Sequence, residues 1–141
     1  MGKLIYLLEP SGSPQDVLQF AEAELVGRVM GLRVQVDDEA VSPGANLRQQ
    51  NAPSLPTAVV SFWLETAQER CSIEGVLNDF SPDLAGYLVS ESSPIRRELK
   101  PEAGARLEGF SQIALLTQPA RLTRDEWFAA WLDRHTQVAI D

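Results

Sequence analysis

Residues 3–25 read KLIYLLEPSGSPQDVLQFAEAEL. Lys3 to Leu8 form a short apolar run, long enough for a buried strand and too short for a helix. Pro10-Ser11-Gly12 is a turn. Ser13-Pro14-Gln15-Asp16 reads as a helix start: Ser13 can cap, Pro14 suits the first helical position, and Asp16 complements the helix dipole. Val17, Phe20, Ala21 and Leu25 then mark one buried stripe, with Gly27 as a stop. A strand, a tight turn and an amphipathic helix make half of a split βαβ unit.

The rest of the N-terminal region completes that plan. From Met30 to Val36, Leu32, Val34 and Val36 alternate with Arg33 and Gln35, as in a half-buried strand. Residues 38–56 show no period, and a structureless loop, a lid or a disordered segment is expected there. Thr57 to Leu64 (TAVVSFWL) is β-branched and aromatic, hence a strand. Thr66 and Glu69 have the spacing of a capping box. Ile73, Val76, Leu77 and Phe80 mark a second helix face, and Leu84 to Ser90 a fourth strand. The expected class is α+β: over residues 1–91, a ferredoxin-like β-α-β-β-α-β sheet with two helices on one face.

Composition narrows the function classes. The chain has 141 residues, 44% of them apolar and 23% charged, which is ordinary globular composition. Its 20 acidic residues outnumber 12 basic ones, for a net charge of −8. No basic face is available, so nucleic acid is not an expected partner. No run reaches membrane-spanning length and no signal-peptide core opens the chain, so a cytoplasmic protein without membrane contact is expected. A lone cysteine, Cys71, and a lone histidine, His135, leave no internal disulfide and no zinc set. Cys71 reads as a small buried hydrophobe. Asp37-Asp38-Glu39 lacks the spacing of a calcium loop and reads as a solvated strand end.

Residues 92–108 read as a linker. Residues 109–141 then start a partial second repeat. Gln112-Ile113-Ala114-Leu115-Leu116 matches Leu4-Ile5-Tyr6-Leu7-Leu8, so Phe110 to Leu116 is expected to be a strand. Thr123 to Glu126 is another capping box, opening a helix with Trp127, Phe128, Trp131, Leu132, His135 and Val138. Only the first strand and helix of the second copy precede Asp141. Two readings stay open: a piece of a protein with two full repeats, or an extra unit packed on the first domain or another subunit. A lone strand and helix cannot bury their own apolar faces, so this unit is expected to dock firmly.

The segments Gln112–Leu116, Leu122–Phe128 and Trp131–His135 together resemble the EthD-like family, whose members open with an apolar strand followed by a helix carrying a Trp and a His four apart. Trp131 and His135 stand on those two positions. The tight match covers about 30 residues. The resemblance implies the dimeric α+β barrel superfamily, in which two ferredoxin-like sheets face each other. Relatives include cofactor-free monooxygenases, cyclases and isomerases as well as haem-using peroxidases. A homodimer through the open sheet face, with no cofactor, is the implied assembly. In the first copy Ala21 and Leu25 replace the Trp and the His, so any site is asymmetric and lies near the second copy's helix.

His135 is therefore the candidate catalytic residue, as a proton-transfer or hydrogen-bonding group. The alternative role is interaction with its own helix end. Trp127, Trp131 and His135 share one helix stripe, which suits an aromatic wall for a small, partly apolar organic ligand or plain packing. Tyr6 and Tyr87, on strands expected to be central and adjacent, could offer hydroxyls to the same ligand. Arg33 could hold an anionic substrate or simply be solvated. A non-catalytic dimerisation or binding module of the same fold is the competing function.

Overall fold

The computed structural model describes residues 2–50, 54–66, 68–91 and 101–135, with the backbone alone for Arg134 and His135. The regular elements are β1 (Gly2–Leu8), α1 (Pro14–Glu24), β2 (Met30–Val36), β3 (Ala58–Leu64), α2 (Glu69–Phe80), β4 (Ala85–Val89) and α3 (Arg124–Ala129). Described residues up to Ser111 belong to one compact unit, and those from Gln112 onward to a second. The chain is α+β. Its four strands form one open sheet in the order β2-β3-β1-β4, with every neighbouring pair antiparallel. Strand β3 separates β1 from β2, and β1 separates β3 from β4, which is compatible with the ferredoxin-like plan.

The local signals explain the ends of α1. The Ser13 hydroxyl accepts from the Asp16 N–H at 3.3 Å, and the Asp16 carboxylate accepts from the Ser13 N–H at 2.6 Å. The Ser13 N–H and then the Ser13 hydroxyl, both donating to Asp16 Oδ2, hold the Asp16 carboxyl below the usual carboxylate range. Along the sheet, alternation then decides the core. Leu4, Tyr6 and Leu8 of β1 and Ala58, Val60, Phe62 and Leu64 of β3 face the helices. They pack with Val17, Ala21 and Leu25 from the first helical region and Ile73 and Leu77 from α2. Leu32, Val34 and Val36 of β2 complete this layer.

A register shift between Met30 and Arg33 bends β2 near its start. Gly31 sits there with φ +58°, a left-handed conformation that glycine adopts without strain. Gly86 serves a different purpose, because a Cβ on it would lie 2.6 Å from Tyr6 Cε1. Its bare backbone makes room for the Tyr6 ring.

Several expectations are corrected. The loop expected at 38–56 contains a 3₁₀-helical stretch, Glu39–Leu47, capped by the Asp38 side chain on the Ala40 N–H. The acidic strand end is paired rather than merely solvated. Arg48 bonds both oxygens of Asp37 at 2.7 Å, and Arg106 bonds both oxygens of Asp38 at 2.8 and 2.9 Å. The Arg106 bonds lead in drawing the Asp38 carboxyl below its ordinary range. These arginines lie 11 and 68 residues away in sequence, so short-range pattern could not find them. At Thr66 only the Glu69 arm of the box forms, as a long 3.5 Å bond, and Gln68 takes the cap position of α2.

The strand expected at 110–116 is not formed. That segment has no regular secondary structure, and Phe110, Ile113, Leu115 and Leu116 are 44–54% exposed. Apolar β-branched character alone does not make a strand, because the ladder bonds must come from a neighbour. In the second unit, Phe128 and Leu132 are also exposed. Of the linker, residues 101–108 carry only a turn, and 92–100 lie outside the described residues.

Candidate functional site

Among the described residues, the sheet face opposite α1 and α2 is the one that the core does not use. Residues alternating with the core set must point to it. Cross-strand pairing arranges them in three rows. The middle row runs Arg33, Ser61, Ile5, Tyr87 across β2, β3, β1 and β4. On one side of it lie Gln35, Val59, Leu7 and Ala85; on the other, Met30, Trp63, Lys3 and Val89. Neighbours within a row are about 4.8 Å apart along the hydrogen-bonding direction.

The charges on this face are treated differently. Lys3 pairs with Glu91 and also lies 5.9 Å from the Trp63 ring centroid, so its ammonium is held at one corner. Arg33 is exposed and has no ion pair among the described residues, whereas Arg28, Arg48, Arg70 and Arg106 each hold a carboxylate. Ser61, opposite Arg33, is only 7% exposed, and its hydroxyl makes no hydrogen bond among the described residues. Tyr87 is 52% exposed at the far end of the row. An unpaired guanidinium beside a free hydroxyl and an apolar floor can take a planar anion.

Tyr6 is not part of this face. It is fully buried on the helix side, stacked on Phe62 with ring centroids 5.5 Å apart. Its hydroxyl donates to Glu74 Oε1 at 2.8 Å, and Glu74 Oε1 also accepts from Arg70 Nε at 2.8 Å. Burial first, then the Glu74 carboxylate, pushes the Tyr6 hydroxyl well above its ordinary pKa. Burial alone would raise the Glu74 carboxyl, but the bonds from Arg70 and Tyr6 outweigh it and leave it lowered. Tyr6 is thus a clasp between the sheet and α2. The two tyrosines do lie on adjacent strands, but β4 is an edge strand and only β1 is central.

In the second unit, the Thr123 hydroxyl accepts from the Glu126 N–H at 3.3 Å, and the Glu126 carboxylate accepts from the Thr123 N–H at 2.8 Å. These bonds hold the Glu126 carboxyl below its usual range. The Trp127 and Trp131 rings stack, with centroids 6.3 Å apart, and both are half-buried. The stripe then changes character, because Ala130–His135 is π-helical. A π turn takes more residues than an α turn, so four positions no longer close one turn between Trp131 and His135. The His135 side chain itself lies outside the described residues.

Elsewhere, an open groove of about 240 Å³ is lined by Arg28, Met30, Trp63, Glu65 and Glu69. It adjoins the outer row, not Tyr87. Cys71, expected to be buried, is exposed on α2. Among the described residues, no group of three or more His, Cys, Asp or Glu is placed to hold a metal ion. None of the described helices is long and apolar enough to cross a membrane. Compared with known proteins, the sequence matches no family model and no curated protein.

Ser61 and the Glu74–Arg70 pair are what sequence reading missed. Ser61 was legible in principle, since Val59, Ser61 and Trp63 alternate with the core residues Val60, Phe62 and Leu64. The Tyr6–Glu74 bond joins residues 68 apart and leaves no local signal.

Proposed function

We propose that the chain is a ferredoxin-like half of an α+β barrel that binds a small, partly apolar organic compound between two facing sheets. The observation that carries this reading is the one-sided sheet. Helices α1 and α2 cover one face, while Ile5, Leu7, Val59 and Trp63 lie on a face that no α-helix of the same unit covers. Apolar side chains gain roughly 25 cal/mol per Å² when such a face is covered. The strand order and the resemblance to the EthD-like family support a second sheet as the cover, from a homodimer. On this reading His135 handles a proton or hydrogen-bonds the ligand, Trp127 and Trp131 supply an aromatic wall, and Tyr87 presents a hydroxyl. Cofactor-free oxygenation, isomerisation or dehydration is the chemistry the resemblance implies.

A non-catalytic dimerisation module is the second reading. The withdrawal of Tyr6 into the core favours it, since that removes one expected ligand group.

Light scattering on the intact chain tests the assembly. A dimer is expected, and Ile5→Lys should weaken it at least roughly hundredfold, because a second cation would be buried in the row of Arg33. Circular dichroism should stay unchanged, since Ile5 points away from the core. A wild-type chain that remains monomeric at high concentration contradicts the barrel.

A further inference from the structure

We infer that the middle row of the open face is a binding subsite for an aromatic carboxylate, with Arg33 and Ser61 holding the carboxylate, Ile5 under the ring and Tyr87 meeting a polar group at the far end. This deepens the barrel reading and rests on it. Three observations converge. First, charge sets the sign of the ligand. Acidic residues number 20 against 12 basic ones, yet Arg33 is left without an acidic partner among the described residues. Four other described arginines are engaged by carboxylates of the chain itself. A guanidinium is a planar fork of donors that matches a carboxylate in two parallel bonds.

Second, the neighbour across the strand is a hydroxyl. Ser61 is opposite Arg33, deep in the face, and its hydroxyl is free to donate to an acceptor above the sheet. Third, the next position along the row, Ile5, is apolar, and the one after it, Tyr87, is an exposed phenol. From Arg33 to Tyr87 is three strand steps, or about 14 Å between backbones. A guanidinium at one end and a phenol at the other, with one six-membered ring between them, match a span of that length. An extended fatty acid has no use for Tyr87, and a bare inorganic anion has none for Ile5.

The probe is 4-hydroxybenzoate, titrated against the intact chain by calorimetry and by fluorescence of Trp63, which lies one row away. Two controls accompany it: 4-hydroxybenzamide, which keeps the ring and loses the charge, and acetate, which keeps the charge and loses the ring. Saturable binding of 4-hydroxybenzoate is expected, with both controls at least roughly tenfold weaker. Arg33→Gln should weaken it by roughly tenfold or more, Arg33→Lys should recover part of the loss, and Tyr87→Phe should weaken it by about threefold. Equal binding of the benzamide, or an Arg33→Gln variant that binds as the wild type does, overturns the subsite. Absence of any saturation also overturns it. Light scattering on the same sample then separates the two failures. A dimer without binding overturns the subsite and leaves the barrel standing, and a monomeric chain overturns the barrel and the subsite with it.

Discussion

The stretch from Gly2 to Glu24 and the stretch from Phe110 to His135 carry nearly the same local signals and reach different states. Both helices open on reciprocal capping boxes, Ser13 with Asp16 and Thr123 with Glu126. Both are preceded by an apolar five-residue match. Yet β1 is paired on both sides, by β3 and β4, while 110–116 has no regular structure. Val17 and Ala21 are buried in α1, and α3 buries none of its residues. The cap needs only residues three positions apart, so it forms wherever its sequence occurs. A strand and a buried stripe need partners from far along the chain, and among the described residues the first stretch finds its strand partners in Ala58–Leu64 and Ala85–Val89.

The sharpest way to break this comparison is to remove the same side chain from both stretches. Leu8 is fully buried, and Leu116, its match in the five-residue pattern, is 51% exposed. Leu8→Ala is expected to destabilise the chain by about 3 kcal/mol through lost burial and the cavity left behind. Leu116→Ala should change stability by less than about 0.5 kcal/mol. Urea unfolding midpoints measure both. Equal losses would mean that 110–116 is packed as β1 is.

The same contrast explains how much was legible in the sequence. The six elements of the first unit follow from periodicity and caps, because there each local preference agrees with the partners the fold supplies. The alternation of Arg33 with Leu32 and Val34 is enough by itself to put Arg33 on the face opposite the core. Three things escaped. The 3₁₀ stretch at Glu39–Leu47 sits between ion pairs to Arg48 and Arg106, which have no periodic signal. Tyr6 and Tyr87 look alike as strand tyrosines. Whether a hydroxyl serves the core or the open face depends on the parity of each position against a neighbour strand, which places Ile5 opposite Tyr87 and turns Tyr6 the other way. The π-helical backbone after Ala129 changes the stripe through His135, and no residue at 130–135 announces it.

Tyr6→Phe sharpens the comparison at an intermediate scale, because Tyr6 of the first stretch matches Ala114 in the five-residue pattern of the second. Losing the hydroxyl should cost about 1–2 kcal/mol near neutral pH, since Glu74 keeps Arg70 but loses its buried donor. The pH dependence gives the signature. The folded state raises the pKa of Tyr6, so its contribution is complete below the ordinary tyrosine value, about 10, and is lost as pH rises above it. The folded state lowers the pKa of Glu74, so its contribution is present above the ordinary glutamate range and fades as pH falls through the folded value. Tyr6→Phe should therefore flatten the alkaline loss and make the acid loss shallower. Stability curves parallel to the wild type at both ends would show that the clasp carries no linkage.

The smallest effect is the most discriminating, because it changes only the capping signal that the two stretches share. Ser13→Ala should lower global stability by about 1 kcal/mol, since α1 is bound into the core and its start cannot fray without disturbing Val17. Thr123→Ala removes the equivalent bond from α3, which has no buried residue. Its unfolding midpoint should stay where it is. The loss should instead appear locally, as faster amide exchange at Glu126 and Trp127, whose N–H groups bond back to Thr123. The same chemical change then reads as a global loss in one stretch and a local one in the other. If Thr123→Ala shifts the global midpoint as much as Ser13→Ala does, α3 is cooperative with a folded core, and the second stretch has found the partner surface that its exposed Phe128 and Leu132 require.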